Sequence, residues 1–191
     1  AQAIKQRVEQ AGIAYVGESA RRYAPATLRL KELLATRLGP PRLLFCHERI
    51  TDSPNRHGAA AADPKNAPAT RKLVEMVDWC RYLVACNPTA VWGIEHRLGA
   101  GDQDADYQLL HLDFSEAAEF GTGPLAQISV GTYIPAAWPE AISFQPPSQL
   151  QICCQHGIAS VDLPSTLIWF DEAGRHRESL AADPPVGEQM L

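Results

Sequence analysis

Apolar residues in the first half of the chain recur every three or four positions, which is the spacing of one face of a helix. Leucines at this spacing follow Pro25 and stop before Gly39, so we predict a helix over 25–38. A second apolar stripe predicts a helix over 70–85, and a shorter helix is predicted over 2–11.

Apolar and polar residues alternate in most of the second half, and this alternation is the period of a β-strand. One strand is predicted earlier, over 41–50, and a short one over 13–18. The further predicted strands are 90–98, 107–114, 124–133, 149–156, 159–163 and 166–171. The segments 53–69 and 134–148 lack a period and are predicted to be loops. Helices and one strand followed by a run of strands predict an α+β fold with an open, largely antiparallel β-sheet and helices packed on one face.

The alternation also separates the two faces of the predicted sheet. Leu150 and Ile152 point to one face, whereas Gln149, Gln151 and Gln155 point to the other. The second face is polar but poor in Lys and Glu, which suits a subunit interface or a sugar-like ligand whose hydroxyls need amide and hydroxyl partners. A solvated face of an antiparallel sheet is the alternative.

Composition narrows the classes of protein that this chain could represent. A net charge of -5 over 191 residues gives no electrostatic reason to expect nucleic acid or an anionic membrane as a partner. No apolar run approaches the roughly 18 residues that span a bilayer, and without an apolar signal core a cytoplasmic location is expected. The chain begins with Ala, so we expect it to be processed or truncated. Its five cysteines form no CxxC pair, so neither a disulfide framework nor a zinc site is predicted.

The last predicted helix carries charged residues beside its apolar stripe. Arg71 and Glu75 are four residues apart, and Asp78 and Arg81 are three apart, so both pairs could form ion pairs. An ordinary salt-bridged surface is one interpretation, because such exposed pairs contribute roughly a few tenths of a kcal/mol. The wall of a substrate site is the other interpretation.

Three segments carry a recognisable pattern. The first is "GESARRYAPATLRLKELLATRLGPPRLLFCHERI", in which Arg-x-x-Pro precedes a helix and a strand. The second is "LVEMVDWCRYLVACNPTAVWGI", a helix followed by a strand, and the third is "LQICCQHGIASVDLPSTLIWFDEAG", with Gly157 after its first strand. Together they resemble the C-terminal part of the Gfo/Idh/MocA family, the glucose–fructose oxidoreductase and inositol dehydrogenase relatives, over essentially the whole chain.

The resemblance implies the C-terminal substrate-binding and oligomerisation domain of an NAD(P)-dependent oxidoreductase that acts on a sugar, polyol or related small molecule. NAD or NADP would bind to an N-terminal Rossmann domain, and no cofactor is expected in this chain, which lacks a strand–GxGxxG–helix unit and the family's Glu-Lys-Pro motif. Residues 1–16 would be the end of that Rossmann domain, and residues 17–191 the α+β domain. A homodimer is expected to form through the polar sheet face.

At single positions the resemblance is mixed. Arg22 matches the family's Arg before the proline, and Asp78 matches the Asp of its His-x-x-Asp motif. Glu75 stands where the family has the His that assists proton transfer from the substrate hydroxyl, and Arg71 stands where many members have an acid. Glu75 could act as a base if burial favoured its protonated form, whereas pairing with Arg71 would make it a poor base. The predicted catalytic residues are Glu75 and Asp78, and the predicted substrate-binding residues are Arg22, Arg71 and Trp79.

Two alternatives stay open at this point. The second hypothesis is a non-catalytic binding or assembly module derived from the same fold. It is favoured because Arg71 and Glu75 differ from the family pattern at the positions that carry its chemistry. Trp79 could stack on a sugar ring, yet packing of a helix aromatic on the neighbouring sheet is the more frequent arrangement.

Overall fold

The computed structural model of this chain describes residues 6–7, 10–12, 19–52, 68–97, 107–116, 119–135 and 149–181. The strand predicted over 13–18 and nearly all of the two predicted loops lie outside the described residues. Residues 10–11 are helical and are followed by Gly12 at φ 60°, which agrees with the helix end predicted there. Within the described part of the chain, the helices are too short or too polar to cross a membrane.

The described ranges 19–52 and 68–97 contain three helices, and the first of them was not predicted. They are α1 (Ala20–Tyr23), α2 (Pro25–Leu33) and α3 (Pro68–Val84), with a π-helical turn at Leu34–Leu38 after α2. The helix predicted over 25–38 is therefore present, with a wider last turn. It ends at Gly39, whose φ of 73° is a conformation that glycine adopts without strain. Helix α3 begins two residues before the predicted position, inside the segment assigned to a loop.

In the part of the chain that the structure describes, eight strands form one open sheet. They are β1 (Pro41–Asp52), β2 (Ala90–His96), β3 (Tyr107–Asp113), β4 (Leu125–Pro135), β5 (Leu150–Cys154), β6 (Ile158–Asp162), β7 (Thr166–Asp171) and β8 (Gly174–Ser179). Their order is β2-β3-β4-β1-β5-β6-β7-β8. The β1–β4 pair is parallel and the other neighbours are antiparallel, so the predicted α+β fold with a largely antiparallel sheet is confirmed.

Helices α2 and α3 cover one face of the sheet and enclose the core. Met76 and Trp79 of α3 are fully buried, as are Ile128 of β4 and Ile152 of β5. Met76, Ile128 and Ile152 occupy positions at which the helical and strand periods placed apolar side chains, as expected if burial of apolar area is the main stabilising term in folding. Trp79 was predicted to bind substrate and not to lie in the core. All five cysteines are free thiols.

Gly157 lies in the turn between β5 and β6, and the structure explains why glycine is needed there. A Cβ at this position would lie 2.2 Å from the carbonyl oxygen of Phe170 and 2.7 Å from a methyl carbon of Leu38. The position that matches a glycine of the resembled family therefore serves close packing of β7 and the π-helical turn, not a positive φ.

The outer face of the sheet, opposite the helices, differs from the prediction. Gln151 and Gln155 are exposed as expected, but Phe45 lies between Gln127 and Gln151 in register and is 41% exposed. A row of neighbours across four strands is also largely apolar: Leu43, Cys153, Ile158 and Phe170. The prediction of a polar face is therefore wrong in part, because it rested on β4 and β5 alone.

Candidate functional site

Two groups of charged side chains meet where α1 and β1 approach α3. We call Ser19, Arg22 and Asp78 the Asp78 cluster. The second group, the Glu75 cluster, comprises Arg21, Glu48, Arg71, Lys72 and Glu75. Successive residues of α1 thus serve different clusters, since neighbouring positions on a helix point about 100° apart.

In the Asp78 cluster every oxygen of the carboxylate accepts a hydrogen bond. Arg22 donates from Nε to Oδ2 at 2.7 Å and from Nη2 to Oδ1, and the Ser19 hydroxyl donates to Oδ2 at 2.6 Å. The hydrogen bond from Arg22 holds the pKa of Asp78 below its ordinary value, and Asp78 in turn raises the pKa of Arg22. This bidentate arrangement fastens α1 to α3.

The ion pair predicted between Asp78 and Arg81 is not the one that forms. Arg81 instead donates from Nε and Nη2 to the side-chain oxygen of Asn87, at 2.9 and 2.6 Å. Asp78 points toward α1 because Arg22 offers two parallel N–H groups to its carboxylate.

In the Glu75 cluster the contacts of Glu75 itself are longer and are shared among several cations. Arg21 donates to Glu48, and Lys72 Nζ lies 3.0 Å from Glu48 Oε1 and 3.5 Å from Glu75 Oε2. Glu75 Oε2 is 3.6 Å from Arg21 Nε, and its Oε1 is 4.0 Å from Arg71 Nε. Three cationic groups therefore surround the Glu75 carboxylate, and none makes a short, aligned hydrogen bond with it.

Exposure rises along the Glu75 cluster from the core to the surface. The exposed fraction of the side chain is 10% for Arg21, 18% for Glu48, 38% for Glu75 and 74% for Arg71. The buried end is held by Gln149, whose Oε1 accepts a hydrogen bond from Arg21 at 3.3 Å. Glu75 is therefore the acceptor that a hydroxyl or amino group arriving from solvent would meet.

The structure brings together four of the five predicted site residues and corrects the fifth. Arg71 lies beside Glu75, and Arg22 is bonded to Asp78. Trp79 is fully buried, and its Nε1–H donates to the Thr27 hydroxyl at 3.0 Å. The expectation that Trp79 stacks on a substrate is corrected, because a buried indole between α2 and α3 presents no face to a ligand.

Sequence reasoning missed Arg21, Glu48, Lys72 and Gln149. A signal existed for Glu48, because strand alternation places this acid on the same face as Leu44 and Cys46, which are buried. A charged residue on a buried face needs a partner. Gln149 had been assigned to the outer face, but it precedes β5 and its side chain reaches Arg21 instead.

The "GTGP" turn at 121–124 has no free N–H groups at its two glycines for a phosphate. The "GTGP" turn could resemble a phosphate-binding loop, but Asp113 accepts the Gly121 N–H at 2.8 Å and Ser115 accepts the Gly123 N–H at 2.7 Å. These donors are thus already used within the turn. Within the described ranges, no group of three or more His, Cys, Asp or Glu residues is placed to hold a metal.

Comparison with known proteins defines the class of fold. No protein-family model and no curated protein sequence matches the chain. Among solved structures, it is similar to UDP-N-acetylglucosamine 3-dehydrogenase from Acidithiobacillus ferrooxidans, with a TM-score of 0.68 and 16% identity over 99% of this chain and 54% of that one. It is also similar to an oxidoreductase from Agrobacterium radiobacter, solved with NAD+, L-tartaric acid and magnesium, with a TM-score of 0.66 and 12% identity over 94% and 49% of the two chains.

The chain thus spans about half the length of the solved chains that it matches. At these identities the likeness shows the fold, an α+β domain of a kind that these oxidoreductases contain.

Proposed function

We propose that this chain is the C-terminal substrate-binding and oligomerisation domain of an NAD(P)-dependent oxidoreductase of the Gfo/Idh/MocA type, acting on a sugar, polyol or related small molecule. The observation that carries the proposal is the bidentate Arg22–Asp78 hydrogen bond, because it joins two of the three sequence segments on which the family resemblance rests. The similarity to half of two longer oxidoreductases supports the same assignment.

In this proposal the residues of α1 and α3 have different roles. Asp78 and Arg22 hold α1 against α3 and so set the position of Glu75, one turn earlier on α3. Glu75 accepts the proton or hydrogen bond of a substrate hydroxyl. NAD or NADP would bind to a Rossmann domain of which residues 1–16 form the end, and residues 17–191 form the substrate domain. The five free thiols fit a reducing cytoplasm.

The test uses the full-length protein with NAD+ and NADP+ and a panel of sugars and polyols. Glu75→Gln removes the proton-accepting group, so kcat/KM should fall about a hundredfold, the usual contribution of a general base. Glu172→Gln, a change of the same chemistry in an exposed turn, is the matched control and should leave kcat/KM unchanged. Turnover by Glu75→Gln within a factor of about three would remove Glu75 as the base.

We further propose a homodimer formed through the outer face of the sheet. Phe45, Ile158 and Phe170 are 41%, 40% and 47% exposed there, and aromatic and aliphatic side chains of this kind form the centre of subunit interfaces. Phe170→Asp should convert the dimer to a monomer in analytical ultracentrifugation. Phe120→Asp, at an exposed turn before β4, is the control. Retention of the dimer in Phe170→Asp would remove this face as the interface.

A non-catalytic assembly module of the same fold is the second candidate, and the outer apolar row together with Arg71 and Glu75 at the usual acid and His positions favours it. This candidate predicts a dimer that Phe170→Asp disrupts and no turnover by the full-length protein with either cofactor. Both candidates predict this dimer, so turnover by the full-length protein is the measurement that decides between them.

A further inference from the structure

The first turns of α3 carry cationic side chains, whereas acidic side chains are usual at the start of a helix. Helix α3 has 17 residues and no acid in its first turn, while Arg71 and Lys72 follow directly. The N-terminal end of a helix bears a partial positive charge, and its first N–H groups lack intrahelical partners. Cationic side chains at this end are unfavourable by themselves, because they are repelled by the positive end of the helix. An anion bound there is attracted by both.

The Glu75 cluster also carries more cations than carboxylates. Arg21, Arg71 and Lys72 supply three cations, against two carboxylates from Glu48 and Glu75. Among the described residues, the one ion pair of Arg71 is the 4.0 Å contact with Glu75, so most of its N–H groups face solvent. This local charge is opposite in sign to the net charge of -5 of the chain.

A buried donor in the same cluster lacks an acceptor. Arg21 Nε has no hydrogen-bond partner in the structure, although the side chain is only 10% exposed. Oε2 of Glu75 lies 3.6 Å from this nitrogen, beyond hydrogen-bonding distance. Unpaired buried N–H groups are rare in folded proteins, and a missing ligand oxygen is one of the ordinary explanations.

From these observations we propose that the Glu75 cluster and the N-terminal end of α3 bind an anionic oxygen group, a carboxylate or a phosphate, carried by the substrate. Arg71 is the main ligand, because a guanidinium binds either group with two parallel N–H donors. Glu75 accepts a hydroxyl on the same molecule. The inference rests on the proposed function, because only that function makes the bound molecule a substrate. It narrows the class of substrate from neutral polyols to sugar acids or sugar phosphates.

Binding of three matched probes to the full-length protein tests the inference: glucose, gluconate and glucose 6-phosphate, compared at equal ionic strength by isothermal titration calorimetry. Gluconate or glucose 6-phosphate should bind at least about tenfold more tightly than glucose, the effect of one hydrogen bond to a charged group. Preference for gluconate identifies a carboxylate site, and preference for glucose 6-phosphate identifies a phosphate site. Equal binding of all three probes, or no binding of either anion, would overturn the inference.

A pair of variants ties the binding to the site. Arg71→Gln should weaken the preferred anion about tenfold and leave the fold intact, since this side chain is 74% exposed. Arg42→Gln, an exposed arginine on β1, is the control and should bind as the unchanged protein does. Undiminished anion binding in Arg71→Gln would overturn the assignment of the site.

Binding and turnover report separately on the two proposals. Anion binding that depends on Arg71 without turnover would keep the anion site and remove the oxidoreductase function. Turnover of a sugar acid or sugar phosphate with the same KM in Arg71→Gln would keep the function and remove the anion site.

Discussion

The two charged clusters on α3 lie one turn apart and each joins arginine to a carboxylate of that helix, yet they differ in how fully their hydrogen bonds are made. In the Asp78 cluster, Arg22 and Ser19 satisfy both oxygens of one carboxylate at normal or shorter distances. In the Glu75 cluster, the contacts of Glu75 are 3.5 to 4.0 Å long.

The comparison teaches that clusters with similar charge differ in how much acceptor capacity their carboxylates have left. Asp78 accepts three hydrogen bonds from Arg22 and Ser19, which use most of its capacity and connect α1 to α3. A carboxylate with long contacts and an open side, such as Glu75, retains acceptor capacity. Trp79 belongs to the structural side of this division, although its helix carries both clusters.

The largest expected effect concerns Trp79. Trp79→Ala should lower the free energy of unfolding by about 4 kcal/mol, because it leaves a cavity in the core and removes the hydrogen bond to Thr27. Urea denaturation measures the change. Trp92→Ala, at a site 42% exposed on β2, is the control and should cost clearly less. Equal losses in the two variants would contradict the placement of Trp79 in the core.

The next effect concerns Asp78. Asp78→Asn should cost about 2 kcal/mol, less than the loss from breaking a fully buried pair, because the side chains of Arg22 and Asp78 are 34% and 22% exposed. A double-mutant cycle with Arg22→Gln, followed by urea denaturation, should show coupling between the two positions. Glu32→Gln, in the exposed pair with Arg29, is the control with little expected change. Additive losses at Arg22 and Asp78 would contradict a direct bond.

Acid sensitivity follows from the lowered pKa of Asp78. The unfolded carboxyl has a pKa of about 3.9 and the folded one a lower pKa, so near and below pH 4 the unfolded state binds more protons. The contribution of this group to stability is therefore complete above about pH 5 and is lost as the pH falls through the folded pKa. The free energy of unfolding should be measured between about pH 3 and 7 in steps on the order of one pH unit. It should depend less on pH in Asp78→Asn than in the unchanged protein. An identical slope in both proteins would refute the assignment.

The smallest effect on stability is expected at Glu75. Glu75→Gln should change the free energy of unfolding by no more than about 0.5 kcal/mol, since the side chain is 38% exposed and its ion pairs are long. Urea denaturation beside Asp78→Asn makes the comparison direct. A loss at Glu75 as large as that at Asp78 would show that both clusters are structural, and would erase the distinction between them.

Local patterns predicted most of the elements because burial imposes a period on each of them. The alternation in β4 and β5 placed Ile128 and Ile152 correctly in the core. Strand β8 was missed since its sequence, "GRHRES", is polar at nearly every position and lies at the edge of the sheet. An edge strand with one neighbour need not carry the apolar alternation on which the prediction depended.

The candidate site was predicted only in part, because local patterns do not reveal contacts between residues that are far apart in the chain. Arg71 and Glu75 are four residues apart on one helix, so their proximity follows from helix geometry. Arg22 and Asp78 are separated by 56 positions, and only the packing of α1 on α3 brings them together. Arg21 and Glu48 were missed for the same reason, since no periodic pattern relates α1 to β1.

The sequence by itself determined which residues turn inward and where helices stop, as at Gly39, because these properties depend on local backbone geometry and on the period of apolar side chains. Tertiary structure alone decided which charges from separate elements become partners, and it gave Asp78 three hydrogen bonds while the contacts of Glu75 stayed long. Ion pairing depends on distances of a few ångströms between elements far apart in the chain, and these distances exist only after the core beneath α3 has packed.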